Sequence, residues 1–165
     1  KEKAQELFRQ YHNKVPFVKQ LMDNVMQRAQ DSGKIRTLLG RLCRFHLWEP
    51  NQFGIHKALP HEEALREHGP GIRRAYAYKS LNKLIQGSAA DLIKHAMIRV
   101  DQRLRREQLA AQMLLQIHDE LVFEAPVDQV PHLAEIVTEE MVSCHQLSVP
   151  LSVDVKSGPN WAECE

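Results

Sequence analysis

Apolar positions change period part-way along this chain. Before residue 110 they recur at steps of three and four, the spacing of one helix face; beyond it two short apolar runs flank three polar residues. Leu7, Phe8 and Tyr11 share one side of a short amphipathic helix over 3–11. Pro16 opens a second helix at its first turn, where a missing N–H costs little. Val18, Leu21, Met22, Val25, Met26 and Ala29 form its stripe, which is predicted to be core, and Gly33 is its stop. Residues 34–72 show no sustained period. Pro50, Gly54, Pro60, Gly69, Pro70 and Gly71 break them into loops, with room for a short helix near 62–67. A long helical pattern resumes at Leu81, Leu84 and Ile85, and Gly87-Ser88 is expected to bend or restart it. Ala89, Ile93, Ala96, Val100 and Leu104 carry the stripe on to about Arg106. Asp91 near the start of this second part and Arg103, Arg105 and Arg106 near its end suit the helix dipole.

The texture then changes. Met113–Ile117 and Leu121–Phe123 read as strands, and His118-Asp119-Glu120 reads as a polar hairpin tip between them. Asp128 is placed to cap a helix whose stripe is Val130, Leu133, Ala134, Val137, Met141 and Cys144. After Pro150, Leu151, Val153 and Val155 alternate with Ser152 and Asp154 in a predicted last strand. There is no internal repeat and no low-complexity tract. Helices packed on a small antiparallel sheet define an α+β class.

Composition narrows the field. The chain has 165 residues, 43% hydrophobic and 26% charged, which is enough apolar material for a core and argues against wholesale disorder. No apolar run approaches the roughly 18–20 residues a spanning helix needs, so no membrane association is expected. Lys1-Glu2-Lys3 has no apolar segment behind it, so no secretory signal is expected, and the missing first Met suggests an excised or trimmed piece. Cys43, Cys144 and Cys164 are odd in number and far apart, which suits a reducing compartment and gives no zinc spacing.

A formal net charge of +1 hides an asymmetry: residues 1–110 hold 21 Lys and Arg against 11 Asp and Glu, whereas Lys156 is the single base against ten acids in 111–165. Two differently charged solvated faces would give this balance; so would a nucleic-acid groove beside a divalent-metal site. The His-Asp-Glu tip bears on the choice. Adjacent carboxylates at a tight turn cannot both be buried without a cation. Mg²⁺ suits them, because it takes one or two protein carboxylates and completes its shell with substrate phosphates.

Gln116-Ile117-His118-Asp119-Glu120-Leu121-Val122-Phe123-Glu124 strongly resembles motif C of the family A DNA polymerases, the bacterial DNA polymerase I group. Thr37-Leu38-Leu39-Gly40-Arg41 looks like that family's Thr-Leu-x-Gly-Arg segment. The stretch from Asn82 through Gln86-Gly87-Ser88-Ala89-Ala90-Asp91 looks like its Asn-x-x-x-Gln-Gly-x-Ala-Ala-Asp helix. Val149-Pro150-Leu151 and Gly158-Pro159-Asn160-Trp161 look like its closing strand and C-terminus. The phrasing around Asn82 and the Asn-Trp-Ala ending lean toward phage replicases. No Asp-Tyr/Phe-Ser segment and no Arg-x-x-x-Lys-x-x-x-Phe/Tyr helix is present. The resemblance therefore implies a helical remnant of the fingers with a long loop over 1–72, and a C-terminal palm half with the motif C hairpin over 73–165. Glu49–Arg73 is longer than the bacterial loop at this point, and Tyr78 stands where bacterial members carry a DNA-contacting Arg.

The resemblance implies templated nucleotidyl transfer with two Mg²⁺, one carboxylate Asp being supplied from outside this chain. Asp119 would be a metal ligand, Glu120 a weaker one, and His118 a neighbour of the primer terminus. Asn82 and Gln86, four apart on one helix face, would meet minor-groove acceptors common to all base pairs. Arg41, Arg44, Arg73, Arg74, Lys79 and Lys83 flank the matched segments. Some of them, with Arg41, Arg74, Lys79 and Lys83 as the DNA-binding candidates, would meet phosphate. Implied partners are DNA primer–template, dNTP and the remainder of the polymerase, in the cytoplasm of a bacterial cell or a phage-infected host. A non-catalytic DNA-binding or scaffold module derived from the same fold is the alternative. A metal hydrolase built on the same tip is a more distant one.

Overall fold

The computed structural model describes every residue except 1, 53, 55, 56 and 165. Its elements divide into two compact units, residues 1–88 and 89–165, and the division falls inside one helix. The functional boundary expected at 72/73 rests on a different criterion from this compactness. Positions 53, 55 and 56 of the long 49–73 stretch lie outside the described residues.

In the first unit α1 (Glu2–Lys14) and α2 (Pro16–Ser32) are helices, as the periodicity predicts. Pro16 occupies the first turn of α2, and Gly33 closes it at φ +67 with its N–H on the Ala29 carbonyl. The stripe of α2 is core only at its C-terminal end. Ala29 is buried and Val25 packs beside it, whereas Leu21 and Met26 are exposed.

The predicted loops over 34–72 contain more order than their Pro and Gly content suggests. Strands β1 (Lys34–Arg36) and β2 (Leu42–Arg44) pair antiparallel across the Thr37–Arg41 turn. Strand β3 (Trp48–Pro50) leads to α3 (His61–His68), and β4 (Ile72–Arg74) returns to pair with β3. Each strand is three residues long, too short to show the four-residue alternation by which a strand is recognised. Ala29, Ile35, Phe45 and Ala77 form this unit's core.

Helix α4 (Ser80–Glu107) continues through Gly87-Ser88 without the expected restart. The reason is local. Ser88 Oγ donates to the Leu84 carbonyl at 2.7 Å and accepts from the Leu38 N–H at 2.9 Å, so the hydroxyl ties the helix to the Thr37–Arg41 turn.

The second unit contains the rest of α4, the hairpin strands β5 (Gln112–Ile117) and β6 (Glu120–Glu124), and α5 (Val130–Val142). Val100 and Leu104 of α4 meet Leu133, Ile136 and Val137 of α5, and Met113 and Phe123 of the hairpin pack on that cluster. A side-chain ion network joins the same two helices. Arg103 bonds Glu107 at 2.9 Å and Glu139 at 2.5 Å, while Arg99 bonds Glu140 at 2.7 Å. Arg103 donating to Glu107 holds that carboxyl below its ordinary range, and the carboxylates raise the Arg103 guanidinium in turn.

Two expectations fail here. Asp128 does not cap α5: the chain enters through a 3-10 turn (Val127–Gln129) and Pro131 sits in the first turn of the helix. Leu151–Val155 does not form a strand, because its alternating residues have no ladder partner among the described residues. The Asn160 side chain instead caps a terminal 3-10 turn (Trp161–Glu163), and Trp161 is exposed.

Candidate active-site hairpin and nucleic-acid face

The β5–β6 hairpin positions the carboxylate tip of the second unit. Met113 pairs with Phe123 and Ile117 with Glu120, so the turn itself has two residues, His118 and Asp119, and Glu120 already belongs to β6. The three-residue tip read from the sequence is therefore shorter by one. A bulge between Met113 and Leu115 breaks the alternation. Leu114 and Leu115 are consequently both 49% exposed, although Met113 still reaches the core.

His118 adopts φ +53. Two-residue hairpin loops match strand twist by entering the positive-φ region, which Gly, Asn and Asp usually occupy. Gln116 Nε2 donates to the His118 carbonyl at 2.5 Å and braces this conformation. The result is that His118, Asp119 and Glu120 are all exposed. Neither carboxylate has a hydrogen-bond or ion-pair partner among the described residues, so the tip carries two uncompensated negative charges in water rather than a buried pair. Its oxygen donors suit a hard cation such as Mg²⁺. They do not complete a site: no cluster of three His, Cys, Asp or Glu that could hold a metal occurs among the described residues.

The first unit brings together two of the sequence motifs. The Thr37–Arg41 turn packs against the Gly87 segment of α4: Arg41 donates from Nη2 to the Gly87 carbonyl at 2.7 Å, and Thr37 Oγ1 accepts from the Arg41 N–H at 3.0 Å. A Cβ on Gly87 would lie 2.8 Å from Thr37 Cγ2, so only glycine permits this approach. Asn82 and Gln86 are exposed on the same stretch of helix, and neither amide has a partner among the described residues. Lys83 is exposed above the Phe45 ring at 4.5 Å, and Lys79 is exposed between two tyrosine rings.

Arg74 differs from these. Its guanidinium donates to the carbonyls of Gln30 and Phe45, both at 2.9 Å, and lies 4.5 Å over Trp48. It tightens α2, β4 and the turn at Gly33, an internal use that the sequence did not predict. Sequence reasoning gave Gly87 a place in a bend or restart of the helix, not the close approach to Thr37, and gave Tyr76 no role. The available signals were the position of Gly87 inside the matched Gln86–Asp91 motif and the aromatic-basic Tyr-x-Tyr-Lys run before Asn82.

A mixed α/β chain with an exposed carboxylate hairpin and a basic, amide-bearing helix face is thus the class that fold and site define. The family described as DNA polymerase family A matches residues 1–163, and the chain belongs to that family. DNA polymerase I of Geobacillus stearothermophilus is 38% identical over 166 residues, covering 100% of this chain and 17% of that protein. DNA polymerase I of Bacillus subtilis (strain 168) is 37% identical over 149 residues, covering 90% of this chain and 15% of that protein. A solved structure described as the POL domain of Pol1 from M. smegmatis in complex with DNA primer-template and dNTP superposes with a TM-score of 0.76 at 33% identity, covering 97% of this chain and 25% of that one. This chain therefore spans less than a fifth of the length of these curated relatives.

Proposed function

We propose that this chain is the C-terminal palm and fingers portion of a DNA-directed DNA polymerase. It contributes one metal-binding carboxylate motif and the minor-groove contacts of templated nucleotidyl transfer. The observation that carries the reading is the hairpin tip, where a positive-φ His118 holds Asp119 and Glu120 out in solvent with no internal cation. A scaffold gains nothing from two unpaired adjacent carboxylates at a strained turn. Asp119 would hold Mg²⁺, with Glu120 a weaker second contact. Bound there, Mg²⁺ would stabilise negative charge on the attacking and leaving oxygens of phosphoryl transfer. His118 would lie against the primer terminus.

Asn82 and Gln86 would donate to purine N3 and pyrimidine O2, acceptors that every Watson–Crick pair presents in the minor groove. They would test pair geometry without reading sequence. Arg41, Lys79 and Lys83 would add phosphate contacts that position the duplex. The partners are then primer–template, dNTP and further polymerase sequence supplying the other carboxylate, because one tip is too few ligands for a two-metal site. The test is primer extension with Mg²⁺ and all four dNTPs by the complete protein that carries this chain. Extension by wild type that Asp119→Ala abolishes supports the reading. Primer–template binding without extension by wild type contradicts it and favours a non-catalytic DNA-binding module.

A further inference from the structure

Between β4 and α4 the chain makes a 3-10 turn (Ala77–Lys79) whose preceding residue, Tyr76, has φ +62. That conformation is strained for a non-glycine residue. Such strain concentrates where a side chain must be aimed. Tyr76 is 36% exposed and Tyr78 58% exposed. Lys79 Nζ lies 5.1 Å from the first ring centroid and 5.6 Å from the second. No Asp or Glu occurs between Glu67 and Asp91, so the sequence places no acid beside this ammonium. Two outward aromatic rings flanking a cation are therefore presented one helical turn before Asn82.

We infer that Tyr76 and Tyr78, with Lys79 between them, form a stacking platform for an unpaired nucleotide continuing from the duplex. The inference rests on the DNA-binding reading above and deepens it. A base inside a duplex has both faces stacked and offers none to an aromatic ring; an unpaired base offers a face of any sequence. The ammonium supplies the neighbouring phosphate contact. The spacing fits. Tyr78, in the 3-10 turn that leads into α4, lies four residues before Asn82, and Asn82 and Gln86 are four residues apart on α4, a rise of about 6 Å. That is about two nucleotide steps at ~3.4 Å per strand residue. The amides then face paired nucleotides, and the rings lie about two steps further along the strand.

The experiment measures equilibrium binding of the complete protein to three DNAs: a blunt duplex, the same duplex with a recessed 3′ end and a thymidine overhang, and the same with an abasic overhang of equal length. Wild type should prefer the thymidine overhang to the abasic one. Tyr78→Ala should lose about tenfold on the thymidine overhang alone. Its salt slope should be unchanged, while Lys79→Ala lowers the slope by about one. Tyr78→Phe should keep the preference, since stacking needs the ring and not the hydroxyl. Tyr78 is exposed and outside the core cluster, so these variants leave the fold intact. If Tyr78→Ala weakens all three DNAs equally, or none, the platform is wrong while the polymerase reading stands. Wild type that binds none of the three overturns both.

Discussion

His118 shows how much one backbone angle decides. Held at φ +53, it closes a two-residue turn and leaves Asp119 and Glu120 solvated, where the same residues on a wider loop could fold back on the strands. Gln108 is a second such residue, at φ +53 just past the end of α4. The Leu109 N–H bonds the Leu104 carbonyl at 3.1 Å around it, the arrangement in which helices usually place glycine. Gln108 is exposed, so Gln108→Gly should raise stability by about 0.5–1 kcal/mol, because relief of strain outweighs the added chain entropy. Gln108→Val should lower it, and thermal melts of the three proteins check the order. Gly87 runs the other way. Helix propensity alone predicts a gain of about 1 kcal/mol for Gly87→Ala. The new methyl would meet the buried Thr37 side chain at 2.8 Å, so the contact wins and the melt should fall by about 1–2 kcal/mol. Unchanged or raised stability in Gly87→Ala would mean that the turn at Thr37 is not seated on α4.

At the scale of elements, α4 and α5 are joined by an apolar cluster and an ion network that can be separated experimentally. Ile136 is fully buried at the centre of the cluster, and Ile136→Ala should cost about 2–5 kcal/mol. The ion network adds a pH dependence of definite sign. Glu107 has its folded pKa lowered, chiefly by the Arg103 hydrogen bond. Its contribution is therefore present above the ordinary carboxylate pKa and is lost as pH falls through the lowered value. Protection of the α5 amides, the intrinsic exchange rate at each pH divided by the observed one, should therefore fall as pH drops below about 4.5, and Arg103→Met should flatten that change. A profile identical in the variant would remove Glu107 as its source. The elements themselves differ in legibility. The stripe of α4 from Ile93 to Leu104, Gly33 as a helix stop and the β5–β6 pairing could all be read from apolar spacing, because each spans enough residues to show a period. The three-residue strands β1 to β4 could not, since their register is set by contacts distant in sequence, such as Arg74 with Gln30. Leu151–Val155 failed for the opposite reason: its alternation was clear, but a strand also needs a partner. At the candidate site, the identity of the tip residues was legible and its two-residue geometry was not. The internal use of Arg74 was invisible, since nothing local separates a phosphate-binding Arg from one that bonds carbonyls.

At the scale of the whole molecule, the proposed function would give the basic balance of 1–110 and the acidic balance of 111–165 distinct tasks. The basic part offers Asn82, Gln86, Lys79 and Lys83 as exposed groups, and the acidic part offers Asp119 and Glu120. Asn82→Ala and Gln86→Ala should each weaken primer–template binding by about 0.5–1.5 kcal/mol without creating base preference or changing the salt slope, because neither amide neutralises a phosphate. Affinities for matched and mismatched termini over a salt series check this. The 165-residue chain by itself should not extend a primer, because it has no Asp-Tyr/Phe-Ser segment and no Arg-x-x-x-Lys-x-x-x-Phe/Tyr helix, and no cluster of three metal-ligating side chains occurs among the described residues. Robust extension by the isolated chain would contradict that. The central claim is that Asp119 acts on the chemical step rather than on DNA binding. It is tested most directly by single-turnover nucleotide incorporation with Mg²⁺, measured together with primer–template affinity, in the complete protein bearing Asp119→Ala. A transition-state role predicts that incorporation falls by several orders of magnitude while DNA affinity stays within about threefold, with Glu120→Ala losing less. Equal losses in affinity and incorporation, or incorporation that survives the substitution, would contradict it.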